Sequence, residues 1–252
     1  VSLIQSSKNN YIKDLRKLAR KKERLAQQRY LIEGIHLVKE VLKSNAKVQA
    51  VLATEAFEQS AWLDGIAVQW ISGEVAKTLG ETITTQGIFA VIELPELERP
   101  ATLNGAWLLL DQIQDPGNIG TMVRTADAAG FNGVVLGQDS ADLYSPKVVR
   151  SMQGSQFHIT IYESDLLTWF ADFKAAGIPV YGSELNEGAA DFRTIKPQND
   201  FALVMGNEGN GMQASLLEMT TKNLYIPIKG QAESLNVAVA AGILMFQLSA
   251  TN

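Results

Sequence analysis

Apolar and polar positions alternate along this chain in two rhythms. In the first hundred residues the short runs "YLI", "VQAVLA", "AVQWIS" and "GIFAVIEL" predict strands, and "GIHLVKEVLKS" and "GEVAKTLG" carry the helical period between them. Ahead of these, residues 8–29 ("KNNYIKDLRKLARKKERLAQQR") read as one basic amphipathic helix, with Tyr11, Leu15, Leu18 and Leu25 on its apolar stripe. "PELERP" then interrupts the pattern with two prolines and reads as a linker. Beyond it "AWLLL", "GVVLG", "FHITIY", "PVYGSEL", "FALVM" and "NLYIPI" are strand candidates, and helical patterns separate most of them. The expectation is a small α/β domain over residues 1–95, a linker over 96–104, and a second domain over 105–252. That second domain is an α/β fold, a mostly parallel sheet with helices on both faces.

Composition narrows the picture. The 252 residues contain no cysteine, so there is no disulfide framework and no thiolate metal site, and the two histidines, His36 and His158, stand far apart. No metal is expected. No apolar run approaches the ~18 residues of a membrane span, and "VSLIQSSKNNYIKDLRK" lacks a continuous apolar core for a secretory signal. A cytoplasmic protein without membrane contact is the plain reading.

The net charge of −5 averages two unlike regions. Residues 1–50 hold 12 Lys+Arg against 4 Asp+Glu, a balance of +8; the rest holds 10 against 23, a balance of −13. A basic region on an acidic body suits a polyanion, and Lys13, Lys17, Arg20, Lys21, Lys22 and Arg24 are its candidate phosphate contacts. The plain alternative is a solvated helix face. Membrane-surface binding is the weaker third reading, because the apolar stripe lacks Trp and Phe.

Candidate chemistry sits in three loops, each following a predicted strand, where open parallel sheets bind ligands. The first, "DQIQDPGNIGTMVRTADAAG", turns at Pro116-Gly117 and starts a helix near Ile119 that carries Arg124; Asn118 there could be a simple N-cap. The second, "GNEGNGM" from Gly206, fits neither the dinucleotide fingerprint nor the P-loop spacing and holds Asn207 and Glu208. Its plain reading is a tight turn with glycines at positive φ. The third, "IPIKGQAESLNVAVAAGILMFQL", follows a strand ending at Ile228; Ser234 as N-cap and Asn236 as a first-turn residue are its plain reading.

Together and in this order, "NIGTMVRTADAAG", "LVMGNEGNGM" and "IPIKGQAESLNVAVAAGI" resemble the three motifs of the SpoU/TrmH branch of the SPOUT RNA methyltransferases. The resemblance covers residues 108–248, and the N-terminal part is similar in size and pattern to the family's substrate-binding domain. One departure is Ala238, where the third motif often has Ser. The resemblance implies a sheet whose C-terminal segment forms a deep trefoil knot, S-adenosylmethionine as cofactor, and an obligate homodimer. It implies methylation of a ribose 2′-hydroxyl in rRNA or tRNA, with 23S rRNA favoured by the basic N-terminal region. It assigns cofactor contacts to Val204, Gly206, Asn207, Ile226, Ile228 and Leu235, mainly through backbone and apolar packing. It assigns the chemistry to Asn118, Arg124, Glu208, Ser234 and Asn236. The rival readings are a knotted methyltransferase acting on a base and a non-catalytic RNA-binding or ribosome-assembly module. A Rossmann-type methyltransferase is disfavoured, since no G-x-G loop follows an early strand.

Overall fold

The structure is a computed structural model and describes residues 3–81 and 84–250. The chain forms two compact units, Val1–Glu96 with Tyr144–Phe157, and Leu97–Leu143 with His158–Asn252.

The first unit is built on four strands, β1 (Arg29–Glu33), β2 (Val48–Thr54), β3 (Val68–Ile71) and β4 (Ile88–Glu93), in the order β1-β4-β2-β3. β4 pairs antiparallel with β1 and β2, and β2 pairs parallel with β3. Its core joins Leu52, Ile71, Phe89 and Val91 of the sheet to Ile12 and Leu15 of helix α1 (Asn10–Lys17) and to Val75 and Leu79 of α4 (Gly73–Leu79).

The single basic helix expected over 8–29 is two helices, α1 and α2 (Lys21–Gln27), broken at Leu18–Arg20. The break resets the phase of the apolar stripe. Leu15 and Leu18 are buried as expected, but Leu25 is 51% exposed and Arg24 is 2% exposed. Arg24 turns inward because its Nη1 donates to the carbonyl of Leu18 at 2.6 Å, satisfying a backbone acceptor that the broken helix leaves open. Its guanidinium is therefore structural and not part of a phosphate-binding surface.

Helix α3 (Ile35–Lys43) follows β1, and α6 (Pro146–Met152) joins the same unit although it lies late in the sequence. The anchors are local. Tyr144, just before α6, packs its ring 4.8 Å from that of Tyr30 on β1. The carbonyl of Gln153, just after α6, lies 2.8 Å from Nε2 of His36 on α3. Burial, with Tyr144 beside it, pushes the Tyr30 hydroxyl far above the usual phenol range.

The second unit holds a seven-stranded sheet ordered β7-β6-β5-β10-β8-β11-β9, all pairs parallel. Its strands are β5 (Ala106–Leu110), β6 (Gly133–Leu136), β7 (Thr160–Glu163), β8 (Val180–Ser183), β9 (Ala190–Asp191), β10 (Phe201–Met205) and β11 (Lys222–Tyr225). Every residue of β5, β6 and β10 is buried, the pattern of strands covered on both faces. One face packs Trp107, Leu109, Val135, Ala202 and Val204 against Trp169, Phe170 and Phe173 of α7 (Leu166–Ala175) and against α8 (Ala214–Leu217). Helix α5 (Pro116–Ala128) packs with β6 and with α9 (Val237–Leu248), which in turn meets β10. The strand expected to run to Ile228 ends at Tyr225.

Candidate active site at three strand ends

Strands β5 and β10 are neighbours in register, with Leu110 opposite Met205. From β5 the sheet continues to β6 and β7 on one side, and from β10 to β8 on the other. The strand order reverses at this boundary, and such a switch point is where an open parallel sheet leaves room for a ligand.

Asp111, the first residue past β5, is 1% exposed. Its carboxylate accepts from the backbone N–H of Gln213 at 2.7 Å and from Gln213 Nε2 at 2.6 Å, so it ties the exit of the glycine loop to β5. Asp111 is not among the site residues to which the sequence motifs point. An acid directly after an all-apolar strand was the available signal. Gln112 follows in a left-handed conformation, φ 54°, and its carbonyl accepts from Asn207 Nδ2 at 2.8 Å.

The loop Gly206–Met212 closes on itself. Asn207 and Gly211 exchange both backbone N–H···O bonds at 3.0 Å, and Asn207 Oδ1 accepts from the amides of Gly209 at 2.9 Å and Asn210 at 3.0 Å. A Cβ on Gly206 would lie 2.5 Å from Gly211 C and Met212 N. Glycine is required there by the loop's own backbone. Within this loop only Gly211 takes a positive φ, +69°.

Helix α5 starts earlier than expected, at Pro116, and its N-cap is Asp115, whose carboxylate accepts from the amide of Asn118 at 2.9 Å. Asn118 is therefore not the cap, and its side chain is available for long-range contacts. Asn118 Nδ2 donates to Glu208 Oε1 at 2.9 Å, and Asn118 Oδ1 accepts from Asn236 Nδ2 at 3.0 Å. Asn236, not Ser234, caps α9, its Oδ1 accepting from the amides of Ala238 at 2.9 Å and Val239 at 3.3 Å. Three loops that are far apart in sequence thus meet through one hydrogen-bonded chain, Asn236–Asn118–Glu208.

The remaining residues expected here stand outside that chain. Arg124 lies six residues after Asn118 on α5, roughly 120° around the helix from it at 3.6 residues per turn. It is exposed and makes no side-chain hydrogen bond or ion pair with another described residue, and the same holds for Ser234. Val204 is fully buried in the core with Trp169 and Phe170, so any ligand contact it makes runs through its backbone.

The third loop has a different character. From Ile226 to Leu235 no backbone–backbone hydrogen bond forms among the described residues. Two apolar side chains of the stretch, Ile228 and Leu235, are more than a third exposed. Open amides and carbonyls beside uncovered aliphatic groups fit a nucleoside, whose base has a hydrogen-bonding edge and an apolar face. They fit the adenosine part of S-adenosylmethionine without needing a phosphate cradle.

Fold and site together define an α/β domain with an open switch point in a parallel sheet and a polar relay at its edge. Residues 105–246 match the SpoU rRNA methylase family, and residues 9–90 match the MRM3-like substrate binding domain. The chain belongs to the SpoU rRNA methylase family and is an RNA methyltransferase. It is 48% identical over 246 residues to the 23S rRNA (guanosine(2553)-2′-O)-methyltransferase RlmP of Bacillus subtilis, covering 97% of this chain and 98% of that one. Among solved structures it is similar to an AdoMet-bound rRNA methyltransferase from Sinorhizobium meliloti, with TM-score 0.87, 31% identity and coverage of 98% and 97%. It is also similar to the SpoU methyltransferase AviRb from Streptomyces viridochromogenes in complex with AdoMet, with TM-score 0.85, 26% identity and coverage of 96% and 97%.

Proposed function

We infer that this chain transfers the methyl group of S-adenosylmethionine to a ribose 2′-hydroxyl of 23S rRNA. The observation that carries this is the Asn236–Asn118–Glu208 chain, joined to a ten-residue stretch that makes no backbone–backbone hydrogen bond among the described residues. The family match and the rRNA methyltransferases to which the chain is similar support the substrate class.

S-adenosylmethionine supplies an electrophilic methyl group on a sulfonium. The protein's task is to hold the hydroxyl in line with it and to take up the hydroxyl proton. Asn118 fixes Glu208 through Oε1, and Oε2 has no hydrogen-bond partner among the described residues. Glu208 is thus oriented to accept the proton, or to orient Arg124. A guanidinium, with pKa above ~12, does not serve as the base. Arg124, exposed and unpaired, instead binds the neighbouring RNA phosphate and so eases ionisation of the hydroxyl. Ser234 lies two residues before the cap and contributes to substrate geometry.

The N-terminal part, residues 1–95, binds the RNA, residues 96–104 link, and residues 105–252 form the methyltransferase domain. Lys13, Lys17, Arg20, Lys21 and Lys22 are exposed and form the phosphate-binding surface. The C-terminal segment from Gly206 onward forms the deep trefoil knot that the resemblance implies. Its support is the placement of β10 between β5 and β8, with α9 packed back on α5. The protein works as a homodimer in the cytoplasm, where its RNA is. Val239, Ile243 and Phe246 recur at helical spacing along α9, and Phe246 is 62% exposed, an apolar stripe that a second copy would cover.

The test is single-turnover methylation of unmodified 23S rRNA transcript with labelled cofactor, comparing Glu208→Gln with Arg124→Lys. Loss of about 10²-fold or more in both, the range for a general base and a charge clamp, supports the assignment. If Glu208→Gln retains the normal rate, Glu208 is not the proton acceptor. If the wild-type protein binds no S-adenosylmethionine, the non-catalytic RNA-binding reading replaces this one.

A further inference from the structure

The chain contains eight arginines, and most are engaged. Arg24 donates to Leu18, Arg20 lies near Glu23, and Arg29, Arg99 and Arg193 pair with Asp14, Asp172 and Asp191. Three have no side-chain hydrogen bond or ion pair among the described residues: Arg124, Arg16 and Arg150. Arg124 belongs to the candidate active site. The other two, on α1 and α6, line the same cavity of the N-terminal unit.

That cavity has a volume of about 220 Å³. It lies below the ~300–1,000 Å³ of pockets that take drug-sized ligands, so it suits one planar ring system. Leucines of α1, β1 and α4 supply apolar lining, Tyr144 an aromatic ring, and Glu33 and Glu81 carboxylates. Glu33 is already fixed, its Oε2 accepting from the amide of Glu81 at 3.1 Å. The combination is two unpaired guanidiniums, an aromatic ring, apolar walls and acceptor-only groups. It complements a single nucleotide: a phosphate between the arginines, a base within, and an edge carrying N–H donors toward the carboxylates.

We propose that this cavity captures one unpaired nucleotide of the RNA, splayed out of its stack, and so sets which part of the rRNA the N-terminal unit grips. Proteins read RNA sequence chiefly on such splayed bases, by stacking and by hydrogen bonds to their edges. The proposal rests on the RNA methyltransferase reading, and its test separates the two.

Two variants of the full chain are compared with wild type, using unmodified 23S rRNA transcript as probe. Arg16→Ala/Arg150→Ala removes the charges. Ala19→Trp, at an exposed lining position, fills the mouth with the charges intact. Both are expected to weaken rRNA binding by about 10-fold or more and to raise KM for RNA, with kcat and cofactor affinity kept. The double variant alone lowers the salt slope, by about one to two. If Ala19→Trp binds and methylates rRNA as wild type does, the cavity holds no base and the inference is overturned, while the methyltransferase reading stands. If instead wild type transfers no methyl group yet Ala19→Trp still loses rRNA binding, the enzymatic reading fails and the nucleotide site survives.

Discussion

The two glycine-bearing loops at the sheet's edge, Gly206–Met212 and Ile226–Leu235, solve opposite problems. The first bonds to itself and to Gln112, with Gln213 at its exit tied to Asp111, and is finished before any ligand arrives. The second makes no backbone–backbone hydrogen bond among the described residues and leaves aliphatic groups uncovered. Preorganisation on one side and unmet bonding capacity on the other is what a site needs to hold catalytic groups still while recognising a nucleoside by its backbone.

The sharpest break of this contrast is Gly206→Val. Its side chain must push apart backbone that lies 2.5 Å from the Cβ position. Overpacking of this kind costs about 1–3 kcal/mol, so cofactor affinity measured by calorimetry should fall by about 10–100-fold, with the fold retained. A smaller effect sharpens the contrast from the other side. In amide hydrogen exchange, residues 226–235 should exchange fast in the free protein and slow by about 10-fold or more when S-adenosylmethionine binds, whereas Asn207 and Gly211 should change little. Equal protection of both loops without ligand would remove the distinction.

Next in size is Asp115→Ala, which deletes the cap of α5. It should cost about 1 kcal/mol and lower Tm by roughly 2–4 °C. It should also lower the methylation rate, because Asn118 loses the bond that sets its place. A normal rate in the less stable variant would mean the relay is held by Glu208 and Asn236 alone.

The smallest effect is electrostatic and lies beyond both loops, at β9. The Arg193 side-chain hydrogen bond holds the partly exposed Asp191 carboxyl below its usual range, against an opposing effect of burial. A depressed folded-state value stabilises the protein above the ordinary Asp range and loses that contribution as pH falls through the folded value. Arg193→Ala should therefore match wild type in Tm at strongly acid pH and fall slightly below it near neutrality. The difference is small because surface pairs contribute little.

How much of this the sequence revealed depended on whether the signal was local. The strands announced themselves: "AWLLL", "GVVLG" and "FALVM" are apolar throughout because both faces of β5, β6 and β10 are covered. The three motifs were legible as loops at strand ends. Capping was not, because Asp115 and Asn118, like Ser234 and Asn236, are equally good caps by type. Only the long-range partner settles which one turns outward. The break between α1 and α2 was hidden for a similar reason. A run of Lys and Arg suits a continuous helix, and only the carbonyl of Leu18 makes Arg24 an interior residue. The cavity beside Arg16 and Arg150 joins segments that no local pattern connects.

The position of β10 has a consequence for how the protein is made. It fills the gap between β5 and β8, yet it leaves the ribosome about ninety residues after β5, on the order of 5–20 s later at about 5–20 residues per second. Throughout that interval the nascent chain presents one open edge of an all-apolar strand, the kind of edge that recruits wrong partners. Synthesis slower than usual across residues 111–200 should lengthen that exposure and lower the yield of soluble protein, and a holdase chaperone supplied during translation should restore it.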